Sequence, residues 1–162
     1  EAIRRAFNRE FFNATNHSYW NLDGTDDFGG HGLTVAADHY LPATADFIPT
    51  GEIRSVAEMF DFRKERQLEP HVPDLDNCFC VSNAAGDLRD VLVLRGKDGV
   101  QMTLATTEPG VQLYDCRHDG FKGLAIEAQG WPDAPNQPQF PAILLAKGQT
   151  RVQITQWRFA NS

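Results

Sequence analysis

His17 lies in the densest run of polar and aromatic residues of the sequence, from Asn13 to Leu22 (NATNHSYWNL). A histidine can donate or accept a proton near neutral pH, and neighbouring amide and hydroxyl groups can fix its orientation and tautomer. Trp20 offers an apolar platform beside it. The pattern indicates either acid–base chemistry or a structural histidine in a turn, and spacing alone favours the structural role.

Glu127 is the second candidate, in the segment GLAIEAQG. In a strand, Leu124 and Ile126 would point to one face, and Glu127 and Gln129 to the other. A carboxylate beside an amide could bind a hydroxyl-rich ligand, and the carboxylate could also act as a base. A solvated outer face explains the same pattern, so both interpretations stay open.

Asp76 (DLDNCF) and Gln112 (GVQLY) are weaker candidates. Each lies beside turn residues and next to an apolar strand. Side chains of these types commonly cap a turn or face solvent in such places. Their spacing alone therefore assigns them no role.

Other sequence patterns argue against several kinds of site. The other histidines show no metal-ligand spacing, so we predict no metal site. The cysteines lack the CxxC spacing and are interpreted as reduced thiols. No Walker loop, GxGxxG or GxSxG motif is present, which disfavours nucleotide binding and serine-hydrolase chemistry. These histidines and cysteines are His31, His39, His71, His118, Cys78, Cys80 and Cys116.

The composition excludes two classes of partner. The 162 residues include 15 Lys and Arg against 22 Asp and Glu, a formal net charge of −7. Surfaces that bind nucleic acids or anionic membranes are built on clustered cations, so neither partner is expected. The sequence shows no membrane-spanning apolar run and no secretory signal. We therefore expect a soluble, cytoplasmic protein.

The elements that must position these residues are predicted to be short strands. Period-two alternation indicates strands over 33–37 and 101–106, and the apolar run 91–94 indicates a central strand covered on both sides. The segment 151–159 changes phase, which suggests a bulge or a strand that changes layers.

Only the opening residues Glu1 to Phe7 have helical spacing, which favours a short helix there. The segment Trp131 to Pro141 contains four prolines and cannot form a regular element. Residues 1–162 contain no repeat and no linker that would divide them. The pattern predicts a single all-β domain, a β-sandwich or a related two-layer architecture.

Taken in order, several segments resemble the aldose 1-epimerase (galactose mutarotase) family. The resemblance extends from Phe12 almost to the end of the chain, and its ordered matches are more specific than any one motif. The matching segments are NATNHSYWNLDG from Asn13, YLP from Tyr40, IPTGEI from Ile48, FDFR from Phe60, DNCF from Asp76, TTEPGVQLY from Thr106, IEAQ from Ile126, WPDAPNQPQFP from Trp131 and WRF from Trp157.

The resemblance implies a β-supersandwich fold and interconversion of the α and β anomers of free aldoses such as galactose and glucose, without a cofactor. By motif, His17 corresponds to the general acid and Glu127 to the general base. Asp76 and Gln112 correspond to residues that hold sugar hydroxyls. The reaction needs such a pair, because one group must deprotonate the C1 hydroxyl while the other protonates the ring oxygen.

The sequence also departs from the family pattern. The family's chains are roughly twice as long, so residues 1–162 correspond to the C-terminal portion of an aldose 1-epimerase domain, and residues 1–10 are an atypical start. The missing N-terminal half would expose sheet faces and edges, which predicts self-association or pairing with that half. Asn77-Cys78 replaces the usual His-Asn after the aspartate.

Two other functions remain open at this stage. The chain could be a non-catalytic carbohydrate-binding module or an incomplete mutarotase-like fragment. It could instead be a hexose-6-phosphate 1-epimerase, which would need arginines for the phosphate. Arg54, Arg63 and Arg66 are available for that purpose.

Overall fold

A computed structural model of the protein describes residues 1–69 and 74–161, so His71 lies outside the described residues. The regular secondary structure of the described part consists of short strands and three single turns of 3₁₀ helix, at Glu58–Phe60, Arg117–Asp119 and Ala134–Asn136. The strands are β1 (Ala2–Arg5), β2 (Glu10–Phe11), β3 (Tyr19–Trp20), β4 (Gly32–Val35), β5 (His39–Leu41), β6 (Arg54–Ser55), β7 (Arg66–Gln67), β8 (Asp76–Cys80), β9 (Arg89–Arg95), β10 (Val100–Thr106), β11 (Gly110–Tyr114), β12 (Leu124–Gln129), β13 (Leu144–Leu145), β14 (Thr150–Gln153) and β15 (Thr155–Asn161).

Five antiparallel strands form one layer, in the order β15-β10-β9-β4-β7. The predicted strands over 33–37 and 101–106 are confirmed as β4 and β10. Leu33, Met102 and Leu104 are fully buried, as their alternation predicts. β9 is the middle strand, but Val93 on its second face is only half-buried. The prediction of a central strand is therefore confirmed, whereas the expected full cover on both sides is not.

The second layer is a six-stranded antiparallel sheet in the order β3-β12-β11-β8-β5-β6. The two sheets face each other across one apolar core, to which Phe79, Leu113 and Ile126 contribute from this layer. The predicted all-β sandwich is confirmed. Burial of these alternate side chains fixes which face of β8, β11 and β12 points away from the core.

The predicted helix over residues 1–7 is wrong. β1 pairs with β14, with Ile3 opposite Val152. Three apolar residues at helical spacing could not bury a helix face, and Ile3 itself is 62% exposed. Pairing with β14 satisfies the backbone N–H and C=O groups of these residues and does not require a buried apolar face. The phase change over 151–159 is confirmed as a change of layer, because β14 and β15 belong to different sheets.

The proline-rich segment 131–141 forms a loop with one 3₁₀ turn, as its prolines predict. Trp131, Phe140 and Ile143 pack against Leu41 and Cys78 in a second, smaller apolar cluster. Cys78 lies on β8 on the face opposite the main core, so this loop covers part of the outer face of the six-stranded sheet. In the part of the chain that the structure describes, no helix is long and apolar enough to span a membrane.

Replacing Leu104 with alanine should lower the free energy of unfolding by about 2 to 5 kcal/mol, because the side chain is fully buried between the sheets. Urea denaturation followed by circular dichroism measures the change. Leu88→Ala is the matched control, since Leu88 is 43% exposed and should change stability by less than about 0.5 kcal/mol. Equal losses in the two variants would contradict the assignment of the core.

Candidate active site

The outer face of the six-stranded sheet collects three of the four residues singled out from the sequence. Gln112 of β11 lies directly opposite Glu127 of β12. Tyr114, also of β11, lies opposite Asp76 of β8. Register partners share a face of a sheet, and so do residues two apart along a strand. Asp76, Gln112 and Glu127 therefore all point away from the main core.

His17 reaches the same place from the loop that precedes β3. Its Nε2 atom lies 3.4 Å from Oε1 of Glu127. The imidazole is about half exposed, with 52% of the side chain accessible, whereas the Glu127 side chain is only 9% exposed. The ring also packs against Tyr19, with 5.1 Å between ring centroids. A half-exposed imidazole thus meets a buried carboxylate held by a strand.

Trp20 does not provide the apolar platform that the sequence suggested. It lies opposite Leu124, whose side chain is in the main core, and it packs against Trp157 with 6.1 Å between ring centroids. The pairing of β3 with β12 places Tyr19, opposite Ala125, on the outer face instead. Tyr19 is therefore the aromatic neighbour of His17, and strand alternation is the reason.

Asp76 and Gln112 are joined by a hydrogen bond, in which Nε2 of Gln112 donates to Oδ1 of Asp76 at 2.7 Å. Burial raises the pKa of the Glu127 carboxyl group, nearby His17 opposes this rise, and the negative charge of Asp76 adds to it. Burial likewise raises the pKa of Asp76, which the hydrogen bond from Gln112 counteracts. The site therefore holds two carboxylates that are stronger bases than carboxylates in water.

The three cysteines are buried and form no disulfide among the described residues, which agrees with their interpretation as reduced thiols. Cys78 lies opposite Gln112 in the register of β8 and β11, beneath the proline-rich loop. Burial raises the pKa of its thiol well above the ordinary value, so it is a poor nucleophile. Among residues 1–69 and 74–161, no three His, Cys, Asp or Glu side chains are grouped closely enough to hold a metal ion.

Two amide side chains hold the loop that carries His17. Asn13 donates to the carbonyl oxygen of Gly130 at 3.0 Å and accepts from the Gly130 N–H at 2.7 Å. Nε2 of Gln153 donates to the carbonyl oxygens of Ala14 and Ala128, both at 3.0 Å. Within the described ranges, residues 14–17 make no backbone-to-backbone hydrogen bond. These amides therefore tie the loop of His17 to the strand of Glu127.

Three residues at or beside the site were not among the candidates from the sequence: Tyr114, Phe47 and Gln153. Two cavities border Asp76, one of about 90 Å³ that also includes Gln112 and one of about 230 Å³ that also includes Tyr114, and Phe47 lines both. The alternation of β11 could have placed Tyr114 beside Gln112. Nothing local marks Phe47 or Gln153, because their positions depend on contacts between distant segments.

The model of the family described as aldose 1-epimerase matches residues 2–158 of this chain. The chain belongs to the aldose 1-epimerase family. The galactose mutarotase of Rattus norvegicus is 37% identical over 91% of this chain and 49% of its own length. The aldose 1-epimerase of Escherichia coli K12 is 32% identical over 91% of this chain and 50% of its own length. The chain thus spans about half the length of the curated aldose 1-epimerases that it matches.

The solved structures agree with this membership of the aldose 1-epimerase family. The crystal structure of the GalM/aldose epimerase homologue from C. elegans is 31% identical, with a TM-score of 0.85, and the match covers 94% of this chain and 52% of that one. The described sandwich is therefore a galactose mutarotase-like fold.

Glu127→Gln should raise the free energy of unfolding at pH 7. The folded state raises the pKa of Glu127, so between the two pKa values it binds more protons than the unfolded chain. Above the folded pKa, the folded state carries the full cost of ionising this buried carboxyl group. The penalty disappears below the unfolded value of about 4.3, so the gain in the variant should vanish near that pH. Urea denaturation at pH 7 and near pH 4 tests this, with the exposed Glu58→Gln as control. A gain that is equal at both pH values would contradict the assigned burial effect.

Gln153→Leu should lower the free energy of unfolding by about 1 to 3 kcal/mol, because the carbonyl oxygens of Ala14 and Ala128 lose their side-chain donor. Urea denaturation measures the loss. Gln67→Leu makes the same chemical change at an exposed position and should have little effect. If both variants keep wild-type stability, the amide of Gln153 does not anchor the loop.

Proposed function

We propose that this chain takes part in aldose 1-epimerase catalysis, the interconversion of the α and β anomers of free hexoses such as galactose and glucose. The contact of His17 with Glu127, at 3.4 Å, is the observation that carries the proposal. It brings an acid and a base together on the face that also holds the hydrogen-bonded pair Asp76 and Gln112. Family membership and relatives named galactose mutarotase support the same conclusion.

Glu127 acts as the general base in this proposal. The C1 hydroxyl of a cyclic sugar is a very weak acid, and a carboxylate of raised pKa removes its proton more readily than a carboxylate in water does. The position of Glu127 on a strand paired on both sides, opposite Gln112, holds the carboxylate in place without a cost in ordering at the moment of reaction.

His17 acts as the general acid. Its imidazolium gives a proton to the ring oxygen while Glu127 takes the proton of the C1 hydroxyl, so the bond between C1 and the ring oxygen breaks and the open-chain aldehyde forms. Rotation about the C1–C2 bond presents the other face of the carbonyl group. The same two groups then exchange roles and close the ring as the other anomer.

The direct contact of His17 with Glu127 constrains how the sugar enters. A pyranose ring with one group on each side needs more than the 3.4 Å that separates the two side chains. His17 lies on a loop and is half exposed, whereas Glu127 is buried on a strand, so the imidazole is the partner that moves. Asp76 and Gln112 bind sugar hydroxyls beside them, and the reaction as proposed needs no metal and no cofactor.

The arginines weigh against the hexose-6-phosphate alternative. Arg54 is paired with Glu52, Arg63 with Asp38 and Asp61, and Arg66 donates to the carbonyl oxygen of Glu58. None of these three arginines lines either cavity beside Asp76. The three arginines that the sequence offered for a phosphate are therefore not at these cavities, which supports a free sugar as the substrate class.

A carbohydrate-binding module or incomplete enzyme is the second candidate, because the chain spans about half the length of its relatives. In that case Asp76 and Gln112 would hold a sugar that His17 and Glu127 cannot turn over unaided. Self-association, or pairing with an N-terminal half, would complete the site. The single-domain extent over residues 1–162 and the cytoplasmic location remain predictions from the sequence.

Polarimetry of freshly dissolved α-D-galactose should show faster mutarotation with the purified chain than in buffer. His17→Asn and Glu127→Gln should each lower the catalysed rate by at least about a hundredfold, the low end of general acid–base contributions. His39→Asn is the matched control, since His39 is exposed and lines neither cavity beside Asp76.

Rates close to wild type in either active-site variant would contradict the assigned roles. A chain that is folded by circular dichroism, binds galactose and leaves the rate at the buffer value would favour the second candidate. Addition of an N-terminal half from a related enzyme would then restore turnover if the fragment is incomplete.

A further inference from the structure

Phe47 is an aromatic residue in an unusual position. Its side chain is exposed, with 64% of the residue accessible, although large apolar residues are mostly buried. Its backbone has φ of 61°, a left-handed conformation that bulky residues seldom adopt. Such outliers persist where the surrounding structure enforces them, and they are enriched at ligand-binding sites.

The loop that carries Phe47 is held by its own hydrogen bonds. The Phe47 N–H donates to the carbonyl oxygen of Thr44 at 3.0 Å, and the Thr44 N–H donates to the carbonyl oxygen of Ile48 at 2.8 Å. The Thr44 hydroxyl oxygen accepts from the N–H groups of Asp46 and Ile48, at 3.3 and 3.4 Å. These bonds hold the backbone from which the ring projects.

That place is the border of the candidate active site. Phe47 lines the cavity of about 90 Å³ together with Asp76 and Gln112. It also lines the cavity of about 230 Å³ together with Asp76 and Tyr114. Phe47 thus lies beside the carboxylate that both cavities share. Other exposed aromatic residues do not, since Phe7 and Phe11 line neither cavity.

The chemistry of a pyranose matches this arrangement. A hexose carries hydroxyl groups around its edge and a patch of C–H groups on one face. Asp76 and Gln112 offer polar groups for the edge, and an aromatic ring offers a flat apolar surface with a partly negative face for the C–H patch. Ligand sites commonly combine an apolar wall with a few polar groups that fix orientation.

We propose that Phe47 is a substrate-contacting residue whose ring packs against the C–H face of the sugar that Asp76 and Gln112 hold by its hydroxyls. It selects hexoses that present an uninterrupted C–H patch on that side. This role rests on the proposed function, because it concerns the same site. It adds a residue that determines affinity and sugar preference and takes no part in proton transfer.

A sugar that cannot change anomer tests the contact directly. 1,5-Anhydro-D-galactitol lacks the C1 hydroxyl, so it can bind but cannot react. NMR titration of the purified chain with this sugar should give a dissociation constant about five- to tenfold larger for Phe47→Ala than for wild type. This is the scale of one aromatic contact. Phe47→Tyr should keep wild-type affinity. Phe11→Ala is the matched control, since Phe11 is 61% exposed, and its affinity should not change.

Phe47→Gly separates binding from folding. Glycine adopts positive φ without strain, so this variant should be at least as stable as wild type in urea while it binds the sugar as weakly as Phe47→Ala. In wild type, the ring should shift the bound sugar's C–H proton signals upfield, and this shift should be lost in both variants. Wild-type affinity in a folded Phe47→Gly chain would overturn the proposal, and so would an absence of saturable sugar binding by wild type.

Failure of the proposed function gives a different result. If Glu127→Gln turns over galactose like wild type while Phe47→Gly still weakens binding, the contact stands and the catalytic assignment falls. If Glu127→Gln abolishes turnover while Phe47→Gly binds and reacts like wild type, the catalytic assignment stands and the role of Phe47 falls. In an active chain, Phe47→Gly should raise KM by the same factor as the dissociation constant and leave kcat within about twofold.

Discussion

Register in the sheet of β8, β11 and β12 is the constraint on which the site depends. Phe79, Leu113 and Ile126 are buried in the main core, and side chains alternate along a strand, so the neighbouring residues must face the other way. A slip of one residue would bury the carboxylate of Glu127 in apolar surroundings, which is strongly unfavourable. The hydrophobic core thereby keeps Glu127 and Gln112 on the outer face, where the strand register places them opposite each other.

The basicity of the Glu127 carboxylate follows from its burial. Glu127 is buried on a strand with a half-exposed histidine as its nearby partner, and the raised pKa of its carboxyl group is the electrostatic consequence. A carboxylate with more hydrogen-bond donors would be more stable and a weaker base. The loop of His17 is held by the amide side chains of Asn13 and Gln153 and not by the backbone hydrogen bonds of a strand pair.

One part of the outer face of the sheet is covered by a loop, and another part is open. Trp131 and Phe140 cover one part of it, and the indole N–H of Trp131 donates to the carbonyl oxygen of Pro109 at 3.1 Å. This cover excludes water from one side of the site and leaves the side near Tyr114 and Phe47 open. Other apolar residues stay exposed, among them Ile3, Val152 and Phe159. Self-association of the chain stays a prediction from the sequence.

The sequence alone predicted the strands over 33–37, 91–94 and 101–106, the all-β class and the candidate residues His17, Asp76, Gln112 and Glu127. Alternation and turn residues are local signals, and the ordered motifs mark the family. Local spacing failed where pairing between distant segments decided the outcome. β1 is a strand because β14 lies beside it, Tyr19 replaces Trp20 on the outer face because β3 pairs with β12, and Gln153 holds Ala14 across 139 residues of sequence. Only the tertiary structure decided these points, because strand pairing and side-chain contacts over such separations leave no periodic pattern in the sequence.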